Sequence, residues 1–267
     1  MTTEDALLAA IWESPHDDLP RLVYADFLDE SGDPAKAARA EFIRVQCELA
    51  KLSGREDERW VPLKSAEMRL LKRYGDGFRR GVGGKVKRAP FRRGFIAPGR
   101  QLVTLHYLLD CPEGVLQQAP LWELLVNHNA PAQVLPLFAS PRLRRVGYLG
   151  IWAMNDVMAT ALAASPHALN LAGIDFRRGT VTAVGMQALA HSSNLPHLHE
   201  LTVSLARPDW LDLRFARELV DSPLGDRLRV LDIADCSTVA PAAEELLRER
   251  FGDRLVSGRP RTASGAT

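Results

Sequence analysis

Long apolar runs, paired cysteines and an excess of one charge sign are all missing from this sequence. No apolar run approaches the length of a membrane span, and the start, MTTEDALL, lacks the basic and apolar parts of a signal peptide. Cys47, Cys111 and Cys236 are odd in number and far apart, which is typical of reduced thiols rather than of a disulfide framework or a zinc site. These absences predict a cytoplasmic protein with no membrane partner.

Signatures of catalysis are also scarce. The glycines between Gly81 and Gly84 do not have the spacing of a phosphate-binding loop. His197 and His199 lack a third metal ligand nearby in the sequence, which favours a surface pair over a metal site. Cys111 has neither a helix start nor a basic neighbour that would mark a nucleophile. We therefore expect no enzyme activity, no cofactor and no metal.

The sequence does contain a spacing of apolar residues that recurs four times. Counted from a serine, core-type residues fall at offsets of six, nine and eleven. The sets are Val146, Leu149 and Ile151 after Ser140; Leu171, Ile174 and Phe176 after Ser165; Leu198, Leu201 and Val203 after Ser192; and Leu228, Leu231 and Ile233 after Ser222. The serines are 25, 27 and 30 residues apart, a period at which one strand and one helix form a repeat unit. The spacing predicts a leucine-rich-repeat array.

The segments between these strands complete the predicted fold. Short runs with helical spacing lie at 135–138, 158–163, 184–189 and 215–220, and a final helix at 242–251. An earlier strand contains Leu121, Leu124 and Val126. Asn129 after it, and Cys236 after Ile233, occupy the position whose side chain hydrogen-bonds backbone in leucine-rich repeats. The fold class predicted is α/β, a short right-handed solenoid with a concave parallel sheet and convex helices, preceded by a small all-α module.

The first part of the chain has helical periodicity. Helices are predicted from Thr3, at 20–29, at 34–52 and at 61–74, the last of them ended by Gly75. The run PRLVYADFLDESGDP followed by RAEFIRVQ resembles the signature of the bacterial repeat-companion domain, which commonly precedes leucine-rich repeats. The resemblance covers only about the first fifty residues. It implies a helical module joined to a repeat array, and it implies no reaction and no agreed ligand.

These patterns divide the chain into three predicted parts. They are a helical module at 1–78, a leucine-rich-repeat domain at 79–255 with an irregular basic opening, and a disordered tail at 256–267. Polar residues of the module could form a partner site, but ion pairs within a solvated helix face are the favoured interpretation. The residues concerned are Arg21, Asp26, Glu41 and Arg44.

A basic stretch follows the helical module and contains no acidic residue. Its cations are Arg79, Arg80, Lys85, Lys87, Arg88, Arg92, Arg93 and Arg100. Because aromatic residues are interleaved, this stretch could follow a phosphate backbone or an acidic surface. The first sixty residues are acidic, so attraction within the protein is a simpler interpretation. Arg93-Gly94-Phe95-Ile96 also resembles the start of arrays in this family, which predicts an irregular first strand.

Side chains alternate along a strand, so residues at offsets eight, ten and twelve should point to the concave face. The candidate partner-binding residues there are Glu123, Leu125, Tyr148, Trp152, Asp175, Arg177, Glu200, Thr202 and Asp232. Exposed aromatic and charged side chains suit an interface, although they could equally cover a solvated sheet. We predict a non-catalytic protein–protein interaction scaffold that is monomeric apart from its partner.

Two other functions stay open at this stage. One is nucleic-acid or acidic-surface binding through residues 79–100. The other is regulation of a nucleotide hydrolase by an arginine supplied in trans, such as Arg177, which rests on analogy with other repeat proteins.

Overall fold

The computed structural model describes residues 2–15, 17–52, 54–79, 90–97, 101–102, 109, 122–126, 131–205, 211–236 and 239–257. Of residues 101, 102, 122 and 177, only the backbone is described. The chain forms two units, one of Met1–Gly99 with Asp110–Trp122 and one of Arg100–Leu109 with Glu123–Thr267. Asn129 and most of the predicted disordered tail lie outside the described residues.

The first unit contains helices α1 (Thr3–Glu13), α2 (Leu19–Asp29), α3 (Pro34–Lys51) and α4 (Trp60–Phe78). At the start of α1, the Thr2 hydroxyl accepts from the Asp5 amide at 3.1 Å, and the Asp5 carboxylate accepts from the Thr2 amide at 2.9 Å. The predicted end of α4 at Gly75 is wrong. The helix continues and buries Phe78, whose ring centroid lies 5.1 Å from that of Phe42, so packing outweighs the helix-ending tendency of glycine.

A hairpin completes this unit, made of strands β1 (Phe91–Arg92) and β2 (Phe95–Ile96). Its turn is tight because Arg93 and Gly94 both have left-handed backbone conformations, with φ of 51° and 84°. The predicted irregular first strand of the array is therefore one arm of an antiparallel hairpin instead. Phe95 packs in a core with residues of α1, α2 and α3, so hydrophobic burial holds the hairpin in the first unit.

The second unit is built on a seven-stranded sheet. Its strands are β3 (Gln101–Leu102), β4 (Trp122–Val126), β5 (Val146–Trp152), β6 (Gly173–Gly179), β7 (Glu200–Leu205), β8 (Val230–Asp232) and β9 (Leu255–Val256). They lie in the sheet in the order in which they occur in the chain. The pair β3–β4 and all pairs from β5 to β9 are parallel. The predicted α/β class with a parallel sheet is confirmed.

Six of the described helices follow the strands of the second unit, and all except the one at Pro223–Arg227 lie where helical spacing predicted them. They are α5 (Pro131–Ala139), α6 (Asp156–Ala163), α7 (Ala183–Ala190), α8 (Leu213–Val220), α9 (Pro223–Arg227) and α10 (Pro241–Phe251), with 3₁₀ turns at Pro141–Arg145 and Gly252–Arg254. Helix α6 packs beside α5 and α7, and α8 packs beside α7 and α10. The helices form one layer, whose inner side chains, such as Met158 and Met186, are fully buried.

The register of the sheet matches the sequence repeat. Leu149 pairs with Ile174, Ile174 with Leu201, and Leu201 with Leu231. These four residues all occupy offset nine from their serines and are at most 1% exposed. Equivalent positions therefore lie side by side in one apolar core, where burial of each such side chain stabilises the fold by about 1.5–3 kcal/mol.

Hydrogen bonds between successive repeats within the second unit recur as well. The Ser165 hydroxyl donates to the Phe138 carbonyl at 2.6 Å, and the Ser192 hydroxyl donates to the Ala163 carbonyl at 2.6 Å. Each joins the end of one helix to the end of the helix before it. The thiol of Cys236 donates to the Val203 carbonyl at 3.1 Å, which is the kind of backbone bond expected at that position.

Candidate functional site

The strand side chains that alternate with the core residues form what we call the polar sheet face. In the paired strands, its residues lie in two rows. One row contains Tyr148, Gly173, Glu200 and Val230, and the other contains Gly150, Asp175, Thr202 and Asp232. Leu125 shares this face, because a side chain at Gly150 would meet its Cδ2 atom. The strands thus bring the predicted binding residues together.

The part of this face on β7 and β8 is accessible. Burial alternates strictly along β7, with Glu200 and Thr202 half-buried while Leu201 and Val203 face the core. On β8, Val230 is 38% exposed. The Asp232 carboxylate accepts a hydrogen bond from the Ala234 amide at 2.9 Å and is half-buried. This region offers one apolar side chain beside two carboxylates.

The prediction that Tyr148 and Asp175 are solvent-facing is wrong. Their side chains are only 6% and 2% exposed. Gly173 lets the Tyr148 ring lie close over β6, since a Cβ atom there would be 2.5 Å from Tyr148 Cδ2. The alternation of side chains fixes which way a residue points, but it does not fix whether other atoms cover it. Tyr148 is therefore a packed residue and no exposed anchor.

Trp152, at the end of β5, remains exposed. Its side chain is 39% accessible, and the guanidinium carbon of Arg178 lies 5.8 Å from its ring centroid. The backbone of Arg177 pairs with Trp152 across the β5–β6 ladder, while the Arg177 side chain lies outside the described atoms. Trp152 thus presents an amphipathic surface next to a cation. Glu123 and Leu125 on β4 are half-buried.

The described residues of the basic stretch interact within the first unit. The Arg79 guanidinium lies 4.1 Å from the Phe91 ring centroid, and burial lowers the pKa of Arg79. Arg93 Nε lies 3.4 Å from an Asp18 carboxylate oxygen. Arg92 is exposed. Arg79 and Arg93 thus take part in contacts within the protein. Arg80, Lys85, Lys87, Arg88 and Arg100 lie outside the described residues.

The four polar residues singled out in the helical module form internal contacts, and the ion-pair interpretation holds for Asp26, Glu41 and Arg44 but is wrong for Arg21. Arg44 pairs with Asp26 at 2.7 Å and with Asp29 at 2.8 Å. Glu41 pairs with Arg69 at 2.7 Å. Arg21 is buried, and its guanidinium donates to the backbone carbonyls of Asp17 at 2.6 Å and Pro15 at 2.7 Å, in the connection between α1 and α2.

Sequence reasoning did not single out Arg39, which has the most unusual surroundings of the described arginines. It lies on α3 between the buried residues Ala38 and Ala40. Its guanidinium carbon is within 6 Å of four phenylalanine rings. A charged residue between two core positions, three residues before Phe42, was the available signal.

No family model matches the sequence. A comparison with curated proteins also finds no match. Within the described residues, no three His, Cys, Asp or Glu side chains are grouped so that they could hold a metal ion. None of the described helices is both long enough and apolar enough to cross a bilayer. The functional assignment therefore depends on the geometry of the polar sheet face and of Arg39.

Proposed function

We propose that this protein is a leucine-rich-repeat solenoid that holds a protein partner on the concave face of its sheet. The support is the alignment of equivalent residues in neighbouring repeats, together with the recurring serine-to-carbonyl bonds between those repeats. Repeats of this kind bury their apolar sides against each other and leave the alternate strand residues for recognition. No catalytic role is proposed.

The observation that carries this proposal is the accessible region on β7 and β8. Val230 supplies apolar area, Glu200 lies beside it in the same row on β7, and Asp232 lies in the other row on β8. Adjacent strands are about 4.8 Å apart, so a partner side chain can contact Val230 while basic groups meet the carboxylates. The partner is therefore a protein that presents lysine or arginine around an apolar residue.

Trp152 adds a second contact on the same face. Tryptophan is the residue type most often found at energetically dominant interface positions, because it buries a large area with few rotatable bonds. Strand β5 lies three strands from β8, about 14 Å across the sheet. A partner that spans this distance would cover Trp152, Thr202 and Val230 together.

The test is capture of proteins from the source cells by two charge-reversed variants. In the first, Glu200→Lys is combined with Asp232→Lys. In the control, Glu245→Lys is combined with Glu249→Lys on the exposed side of α10, which changes the net charge equally. We expect proteins captured by the wild type to be lost by the first variant and kept by the control. Equal capture by both variants would contradict the proposal.

A single substitution tests the aromatic contact. Once a captured protein is purified, Trp152→Ala should weaken its binding by about tenfold or more, as expected for an interface anchor. An unchanged dissociation constant would remove Trp152 from the binding surface.

A further inference from the structure

Arg39 lies in a cluster of aromatic rings from three parts of the first unit. Its guanidinium carbon is 4.9 Å from the ring centroid of Phe78, 5.4 Å from Phe95, 5.5 Å from Phe91 and 5.8 Å from Phe42. The rings come from α3, α4 and the β1–β2 hairpin. Such contacts attract a cation weakly, but rings accept hydrogen bonds poorly, so they do not replace an oxygen acceptor.

The guanidinium group of Arg39 has no anionic partner within the described part of the chain. Its Nη1 atom is buried and has no hydrogen-bond acceptor there. Two other arginines of the helical module, Arg44 and Arg69, do have anionic partners, because each pairs with a carboxylate at 2.7 Å. Burial lowers the pKa of Arg39 to about 10, so the group is still a cation at neutral pH. The residue as a whole is half-buried, and its buried Nη1 atom lacks both the water and the acceptor that would compensate the charge.

A cavity of about 570 Å³ opens onto this group. Its walls include the aromatic side chains of Tyr24, Tyr74, Phe78 and Phe95, together with Arg39. This volume lies in the range of sites for small organic molecules, which are mostly apolar with a few polar groups that orient the ligand. The aromatic walls suit a flat ring, which they can contact face to face or edge to face.

The charges that line the cavity are mostly positive. Lys36 and Arg39 lie three residues apart on α3 and therefore share a helix face, and Arg73 lines the cavity from α4. Within the described residues, Glu4 is the one acidic side chain of the lining, and its carboxylate accepts a hydrogen bond from the Tyr24 hydroxyl at 2.9 Å. Three cations and one carboxylate leave a formal excess of two positive charges. A phosphate monoester carries about −1.5 to −2 at pH 7.

A second cavity in the helical module differs from the first in the charges of its lining. It has a volume of about 600 Å³, and its cations are Arg44, Arg69 and Arg73, the last of which lines both cavities. Arg44 and Arg69 already pair with Asp26, Asp29 and Glu41. Two of its three cations are thus paired with carboxylates, whereas the lining of the cavity beside Arg39 has three cations and one carboxylate.

We propose that the cavity beside Arg39 binds a small phosphate monoester with an aromatic organic part. The phosphate group accepts hydrogen bonds from Arg39, with Lys36 and Arg73 at the same cavity. The ring of the ligand lies between the aromatic walls. Aryl phosphates and nucleoside monophosphates share this chemistry, and the choice between them depends on how well the ring fits. The site is separate from the polar sheet face and does not depend on the function proposed there.

Isothermal titration calorimetry on the full chain tests this site directly. The probes are phenyl phosphate, adenosine monophosphate, inorganic phosphate, benzoate and adenosine. We expect phenyl phosphate or adenosine monophosphate to bind with a dissociation constant of about 1 mM or tighter. The tighter of the two identifies the ring type. Inorganic phosphate, benzoate and adenosine should each bind at least about tenfold more weakly. Inorganic phosphate lacks the ring, benzoate lacks the second negative charge, and adenosine lacks any charge.

Three variants connect this binding to the named residues. Arg39→Met removes the charge and keeps an apolar chain of similar length, and it should weaken phosphate-ester binding by about tenfold or more. Arg73→Gln, at an exposed position that leaves the ring cluster intact, should weaken it by about threefold to tenfold. Arg44→Met makes the same chemical change on the same helix outside this cavity, and it should change the affinity by less than about twofold.

A thermal readout separates binding from a purely structural role of Arg39. Without ligand, Arg39→Met should melt at the wild-type temperature or above, because the substitution removes a charge whose buried Nη1 atom has no hydrogen-bond acceptor. Phenyl phosphate should raise the melting temperature of the wild type and not that of Arg39→Met. Failure of both phosphate esters to bind the wild type would overturn the proposal. So would equal binding of benzoate, or binding that survives both Arg39→Met and Arg73→Gln.

Discussion

The thiols of Cys47 and Cys236 lie in environments that disfavour ionisation. Cys47 is fully buried among residues of the first core, and burial raises its pKa to about 12. Burial also raises the pKa of Cys236, to about 11. In an unfolded chain both would titrate near 9. The two states therefore hold different numbers of protons at alkaline pH, which makes stability depend on pH.

The sign of this dependence gives a prediction for Cys47. Between pH 8 and pH 10 the unfolded thiol loses its proton while the folded thiol keeps it, so the free energy of unfolding should fall as pH rises. The fall from this residue should be about 1 kcal/mol. Urea unfolding at several pH values would show a shallower fall in Cys47→Ala than in the wild type. Identical slopes would contradict the assignment.

Arg39 also titrates near the upper end of that pH range. Its pKa in the folded protein is about 10, below the usual value for arginine. Around and above pH 10 the folded protein loses this proton before the unfolded chain does, which favours folding and opposes the effect of the thiols. Because the wild type and Cys47→Ala both contain Arg39, this contribution cancels when the two slopes are compared.

At the level of the strands, two glycines allow large neighbours to lie close to the sheet. At Gly173 a Cβ atom would lie 2.5 and 2.8 Å from two carbons of the buried Tyr148 ring. At Gly150 it would lie 2.4 Å from Cδ2 of the half-buried Leu125, at the end of a flexible side chain. The two sites have similar backbone surroundings, and they differ in how easily the neighbour can move.

This difference predicts unequal effects of the same substitution. Gly173→Ala should destabilise the protein by about 1–3 kcal/mol, because a packed ring must shift. Gly150→Ala should cost less, because Leu125 can change rotamer. Chemical denaturation of both variants measures the difference. If Gly150→Ala were the more destabilising, the packing of Tyr148 over Gly173 would be in doubt.

The same elements show what sequence can and cannot predict. Strands β4 to β8 follow from apolar spacing, because Leu149, Ile174 and Leu201 must all reach one core. The short strands β3 and β9 and the helix α9 were not predicted. The hairpin at Arg93 and Gly94 was not predicted, because short antiparallel and parallel strands have the same local pattern. The burial of Tyr148 and the ring cluster around Arg39 depend on residues distant in sequence, which one-dimensional spacing does not reveal.

On the scale of the whole molecule, each unit has apolar residues buried within it. In the first unit, Gly94 lets the β1–β2 hairpin pack closely against α3. A Cβ atom there would lie 2.5 Å from Ile43 Cγ1 and 2.8 Å from Ile43 Cα, and the backbone has a φ of 84°. The Gly94 amide also donates to the buried Gln46 side chain at 2.8 Å. Both steric and conformational strain would follow from any larger residue.

We therefore expect Gly94→Ala to cost about 2–4 kcal/mol and to act mainly on the first unit. Hydrogen exchange should rise in the amides of α1–α4 and change little in β5–β7, since partly separate cores open separately. Gly54→Ala is the matched control, because a Cβ atom at that position meets nothing within 4 Å. A uniform rise in exchange through β5–β7 would show that the two units unfold together.

Strands that are consecutive in the chain from β3 to β9 are neighbours in the seven-stranded sheet. Tandem duplication of one segment of 25–30 residues would therefore insert a strand and its helix without breaking the pairings elsewhere. Each such event would widen the sheet by about 4.8 Å. The width of the sheet can thus evolve in steps of one repeat, independently of which amino acids lie on its surface.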